Sequence, residues 1–287
     1  MVTLENAIIA ARTPEFTYFF KMFPYLVNET FYIGVIALGY WLAYNPRIFW
    51  QLGFLVPFST MLNGVLKNIF LWERPDLSLH LVQIVDKSSG FPSGDVHVAS
   101  VLWGMLLYHF QSRILRFFGV AIILCIMLSR VYLGVHTVDQ VFGGLFFGLA
   151  TVCVASSNGG QKMFNNWQNG QTKTYWLLCS FVFTAYITLS QEILPMMVGI
   201  AGVLIGYGIT IFYAQKYMTS LIRGNILSFC FGISTLWLAN QIFPRIHFKT
   251  IALVDAFFLV KYAIISFIIF AFVPVILLKN RTLSRNI

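Results

Sequence analysis

Apolar residues run along this chain in long blocks separated by short polar stretches, and within the blocks hydrophobic positions do not alternate strictly with polar ones. Blocks of about 20 apolar residues without a two-residue period predict membrane-crossing helices rather than barrel strands. Nine spans are read, at roughly 29–45, 48–71, 95–110, 114–131, 138–156, 174–190, 194–214, 222–241 and 253–278. The third is short for a lone span and is expected to pack inside the bundle. Ahead of them "LENAIIAARTPEFTYFFKMF" reads as an amphipathic helix lying in the membrane interface, within residues 1–28. It does not read as a cleavable signal, because Glu5 sits near the start with no basic region before a short apolar core. The polar stretch "SSNGGQKMFNNWQNGQTKT" (156–174) is expected to be a loop dividing a first half, 29–156, from additional spans over 174–278.

Composition agrees with this pattern. Of 287 residues, 58% are hydrophobic and 10% charged, with a mean hydropathy of +0.77. A soluble domain carries about a quarter charged residues. The expected fold class is therefore all-α, a polytopic transmembrane helix bundle of about nine spans. Cys125, Cys153, Cys179 and Cys230 all lie in apolar runs without zinc-like spacing, and read as small buried hydrophobes. The net charge of +9 comes from Lys and Arg in short loops, with no basic patch interleaved with aromatics, so membrane lipid is the expected partner and nucleic acid is not.

Three clusters fall at span boundaries on one side of the membrane. They are "KNIFLWERP", with Lys67 and Arg74; "FPSGD", with Ser93, Gly94 and Asp95; and "SRVYLGVHTVDQ", with Ser129, Arg130, His136 and Asp139. Arginine presents a planar fork that fits phosphate oxygens, and lysine adds a point charge. Ser93 and Gly94 precede an apolar run, where the free N–H groups of a helix start favour an anion. Asp139 lies three positions after His136, which on a helical turn would put both on one face. A carboxylate beside an imidazole fixes its tautomer and suits it to act as nucleophile or base. With Lys67, Arg74 and Arg130 set aside as functional, the remaining Lys and Arg are in excess on the opposite side, for example Arg113, Arg116, Lys162 and Lys173. The positive-inside rule then places the cluster on the non-cytoplasmic face, periplasmic or lumenal.

The spacing resembles the type 2 phosphatidic acid phosphatase superfamily. That group includes lipid phosphate phosphatases, undecaprenyl pyrophosphate phosphatases, glucose-6-phosphatase and the vanadium haloperoxidases. Its signature is K-x6-R-P, then P-S-G-H, then S-R-x5-H-x3-D, and it is read here over residues 60–148 with Asp139 as the final carboxylate. The resemblance implies that Lys67, Arg74 and Arg130, with Ser93 and Gly94, hold the phosphoryl oxygens. It implies that His136 becomes phosphohistidine, that Asp139 orients it, and that no metal or other cofactor takes part. The expected activity is hydrolysis of a lipid phosphate or diphosphate. Phosphoryl transfer to another acceptor, or binding or transport without catalysis, are the alternatives.

One position departs from the signature. Asp95 stands where the superfamily has the histidine thought to protonate the leaving group. Asp95 could itself be that acid, or a diphosphate substrate could need none, since a phosphate monoester leaves readily. His97 could replace it, or catalysis could be lost. Elsewhere, Asp255 and Lys261 fall in or beside the last apolar run, six positions apart and so not on one face, and Glu192 and His247 carry no assigned role.

Overall fold

The computed structural model describes residues 4–42, 46–83, 88–190, 195–218, 234 and 251–273. The described residues are helical, with no strand among them. Apart from Ser234, the expected span at 222–241 lies outside them, as do Glu192 and His247. The chain divides into two compact units. The first comprises Met1–Tyr32 and Leu62–Ser157, the second Ile33–Met61 and Asn158–Ile287.

The first unit begins with two short helices, α1 (Leu4–Ala10) and α2 (Pro14–Phe20), rather than one interfacial helix. The break falls where Thr13 caps α2, its side chain accepting from the Phe16 N–H, and Pro14 occupies the first turn. Next come the start of α3 (Glu29–Leu42) and the C-terminal turns of α4 (Arg47–Phe70). The unit is completed by α5 (Gly94–His109), α6 (Arg113–Tyr132) and α7 (Val138–Ser156). The helices α5 and α7 pack backbone to backbone. A Cβ at Gly144 would lie 2.5 Å from the Ser93 carbonyl oxygen, and one at Gly148 would lie 2.7 Å from that of His97. Only hydrogen fits at these two positions, and small residues four apart are a common way for membrane helices to approach closely. Val96 and Ala99 of α5, Ile123, Ile126 and Met127 of α6, and Val141 of α7 close the core around this contact.

The second unit holds most of α3, the first half of α4, α8 (Asn158–Gln168), α9 (Lys173–Leu189), α10 (Pro195–Met218) and α11 (Ile251–Phe267). The expected polar loop at 156–174 is mostly the helix α8. Its apolar positions Phe164 and Trp167 are fully buried against Phe54, so three aromatics convert a polar sequence into an amphipathic helix with a docked face. Trp50, Tyr175 and Tyr207 extend the aromatic cluster, and the Tyr207 hydroxyl donates to the Trp50 carbonyl at 2.9 Å. Lys261 of α11 places its ammonium over the Tyr262 ring at 5.4 Å, rather than against Asp255.

Four described helices are long and apolar enough to cross a membrane: α4, α6, α7 and the stretch Val254–Phe272. A fifth is added if Pro14–Leu26 and Glu29–Leu42, bent by 54°, form one broken span. This is compatible with an integral membrane protein. It supports four to five candidate spans among the described residues, and the expected count of nine is not confirmed. Helix α5 has 16 residues, and α9 has 17.

Candidate active site

All of the predicted site residues belong to the first unit. Lys67, in the last turn of α4, is buried, and its Nζ donates to the Ser88 hydroxyl at 2.6 Å. Arg74 donates from Nε to the Ser88 carbonyl at 3.0 Å. One residue therefore joins the two cations of the first cluster. Sequence reading did not single out Ser88, because a serine four residues ahead of a proline carries no distinctive pattern.

The second cluster forms the turn into α5. Ser93 is the N-cap residue, fully buried, and its hydroxyl has no hydrogen-bond partner among the described residues. The Asn63 side chain, one turn before Lys67 on α4, donates to the Pro92 carbonyl at 3.2 Å and holds the turn. Gly94 is the first residue of α5.

The third cluster spans the end of α6, a tight loop and the start of α7. Gly134, at φ 74°, makes the reversal in a conformation that disfavours other residues. His136 in this loop is buried, and its Nε2 lies 3.4 Å from Nη1 of Arg74. Its Nδ1 lies 2.9 Å from Oε1 of Gln140.

Gln140 replaces Asp139 as the partner of His136. The expected carboxylate is exposed and makes no hydrogen bond to the imidazole. Two causes are visible. Helix α7 begins only at Val138, so His136 precedes the helix and a three-residue helical spacing does not apply to it. The counted signature also lands elsewhere: three residues after His136 are Thr137, Val138 and Asp139, and the position that follows is Gln140. The chain thus departs from the signature twice, at Asp95 and at Gln140. Asp139 remains a first-turn carboxylate of α7, where the helix dipole favours it.

The "TVDQ" stretch was itself a readable signal. It is a capping box, in which Thr137 accepts from the Gln140 N–H and the Gln140 side chain reaches back to the Thr137 N–H at 3.2 Å. Gln140 Nε2 also donates to the Glu73 carbonyl at 2.7 Å, and the Gln140 carbonyl accepts from the Ser93 N–H at 2.9 Å. One glutamine therefore ties together all three clusters. Because Thr137 N–H can only donate and Glu73 C=O can only accept, the amide orientation is fixed. Oε1 must then receive a proton from His136 Nδ1, which leaves Nε2 as the bare lone pair facing Arg74. Burial, followed by the charges of Arg74 and Lys67, pushes the His136 pKa well below its ordinary value. The Gln140 hydrogen bond opposes this, and Arg130 adds to it.

Asp95 is engaged by a cation of the cradle. Its Oδ2 lies 3.0 Å from Nη1 of Arg130, and the carboxylate is partly exposed while Arg130 is buried. The other guanidinium nitrogens of Arg130, Nε and Nη2, are buried without hydrogen-bond partners among the described residues. Arg130 is thus half occupied by Asp95 and half open. His97 sits on the buried face of α5, with Nδ1 3.4 Å from the Asn63 amide and its ring beside Phe147. It is not hydrogen-bonded to His136 or Arg130, as the regular start of α5 dictates for a residue two positions beyond Asp95. Groups of three or more His, Cys, Asp or Glu arranged to hold a metal are absent among the described residues.

The site therefore gathers three cations, an unpartnered buried hydroxyl, and an imidazole held neutral with one lone pair directed among them. Side chains of these types, so arranged, have the chemistry to bind a phosphoryl group and to attack it. No curated protein and no solved structure matches the chain. Residues 48–164, the stretch that carries Lys67, Arg74, Asp95, Arg130 and His136, match the model of the PAP2 superfamily, whose members are generally phosphatases.

Proposed function

We propose that the chain is an integral membrane phosphatase that cleaves a lipid diphosphate through a phosphohistidine at His136, on the non-cytoplasmic face. The observation that carries this reading is the His136 geometry, with Nδ1–H donated to Gln140 and Nε2 bare beside Arg74. Phosphoryl oxygens take up Lys67, Arg74 and the open edge of Arg130, and the Ser93 hydroxyl completes the cradle. His136 Nε2 attacks the terminal phosphorus. An N–P bond forms as the bridging P–O bond breaks, and the lipid monophosphate departs. Water then attacks the phosphohistidine, and the N–P bond breaks to restore the imidazole. The proton from water leaves with the solvent or the released phosphate.

The Asp95–Arg130 ion pair favours a diphosphate. A carboxylate that serves as counter-charge to a guanidinium is not placed as an O–H donor. A leaving phosphate monoester needs little protonation, whereas an alkoxide needs general-acid help worth about 10²–10⁴-fold. The same two departures, Asp95 and Gln140, favour a second reading, in which the site binds a lipid phosphate without turnover.

The test is phosphate release by purified protein with EDTA present, wild type against His136→Ala, on a polyprenyl diphosphate and a lipid monophosphate. The phosphatase reading expects release from the diphosphate, at least tenfold slower release from the monophosphate, and loss of both in the variant. Saturable binding of either lipid with no release by the wild type would favour the binding reading.

A further inference from the structure

The N-terminal helices line a cleft that shares no residue with the cradle. The cleft, of about 490 Å³, is lined by Arg12, Thr13, Pro14, Thr17, Tyr18, Lys21 and Leu81. Among the described residues no carboxylate lines it. Glu15, the acidic residue of α2, is fully exposed and outside the lining. Lys21 is exposed, and its ammonium has no partner among the described residues. Arg12 uses Nε on the Tyr132 carbonyl and Nη2 on the Leu79 carbonyl, each at 2.9 Å, which leaves Nη1 available.

The surroundings indicate what the cleft meets. Phe16, Tyr18, Phe19, Met22 and Tyr25 are 55%, 77%, 46%, 56% and 71% exposed. A row of exposed aromatics flanked by cations is the composition of a segment seated at the headgroup level of a bilayer. The ligand a cationic, hydroxyl-lined cleft takes at that depth is the phosphate of an anionic phospholipid.

The cleft is also wired to the nucleophile. Arg12 grips the carbonyl of Tyr132, the last residue of α6, and the Tyr132 hydroxyl donates to the Thr13 carbonyl and accepts from the Thr13 N–H. At the other end of the loop, Glu5 of α1 accepts from the Val138 N–H at 2.7 Å. The segment carrying His136, residues 133–137, is thus fixed at both ends by the N-terminal helices.

We propose that this cleft binds the headgroup of an anionic phospholipid and, through Arg12, steadies the loop that presents His136. The binding half stands without any assumption about the reaction; only the activation half rests on the phosphatase reading. The test reconstitutes the full chain in nanodiscs of phosphatidylcholine with and without phosphatidylglycerol. Bound phosphatidylglycerol is counted by native mass spectrometry after release from the disc. Wild type is expected to retain phosphatidylglycerol in preference to phosphatidylcholine. Lys21→Gln is expected to retain it roughly fivefold less, the factor contributed by one cation near an anionic surface. Lys162→Gln, a charge loss in the second unit, should match wild type. Equal retention by wild type and Lys21→Gln would overturn the proposal, as would displacement of the lipid by inorganic phosphate alone. In the activity arm, phosphatidylglycerol should raise kcat of wild type several-fold with little change in KM, and do so less in Lys21→Gln. Should wild type prove inactive, the retention assay still decides the binding half.

Discussion

Asp95 sets the charge of the cradle. Lys67, Arg74 and Arg130 alone would present three positive charges, and the carboxylate on Arg130 removes one. Asp95→Asn should therefore tighten inhibition by inorganic phosphate roughly five- to tenfold, a discounted Coulomb effect for a partly exposed pair. Turnover of the diphosphate should not fall. An unchanged inhibition constant, or a large loss of kcat, would show that Asp95 acts on the leaving group and not as a counter-charge. His136 supplies a second residue-level prediction. Its pKa is lowered by burial and by neighbouring cations, and in the proposed reaction the attacking form is the neutral one. Protonation therefore removes activity only well below the ordinary histidine value of about 6.5, and the acid limb of kcat/KM should lie under it. Gln140→Asp puts a negative charge on Nδ1–H, raises the imidazole pKa and should move that limb upward. Comparing both proteins on one substrate cancels the ionisation of the substrate. Lys67, Arg74, Arg130 and His136 were readable in the sequence because charge and nucleophilicity belong to the side chain itself. The partner of His136 was not read from a helical repeat, because His136 lies just outside the helix that the repeat assumed.

At the scale of the element, the site depends on how closely α5 and α7 approach. Ser93 caps α5, Gln140 lies in the first turn of α7, and the Ser93 N–H to Gln140 carbonyl bond joins them. Gly144 lies one turn beyond Gln140, with no room for a Cβ. Gly144→Val should force the helices apart and destabilise the protein by about 1–3 kcal/mol or more, the usual cost of overpacking. A lowered thermal unfolding midpoint in detergent would report it, and a midpoint equal to wild type would mean that the helices separate without cost. The glycines stand plainly in "FGGLFFGLA". Which helix they face does not, because a small residue permits close approach without naming the partner. The stretch 156–174 teaches the converse. Its composition is that of a loop, yet Phe164 and Trp167 fall on one face of a helix and find an aromatic pocket supplied from far along the chain.

At the scale of the whole molecule, the sequence by itself determined the all-helical class. Apolar blocks of this length without a two-residue period fit helices that satisfy their backbone hydrogen bonds internally, which is compatible with a membrane as solvent. It also determined the chemistry available at the site, since the motif residues lie at helix ends where charged groups are tolerated. Tertiary structure decided three things that sequence spacing could not. It paired Asp95 with Arg130 across two helices. It made Gln140 the joint of three clusters, through bonds to Glu73, His136 and Ser93. It also folded the N-terminal helices back so that Arg12 and Glu5 grip the loop of His136, more than a hundred residues away. The physical reason is the same for all three. Hydropathy and residue type are local properties that a sequence carries residue by residue, whereas a hydrogen bond or ion pair needs two groups in register. Register between distant segments is set only when the helices pack.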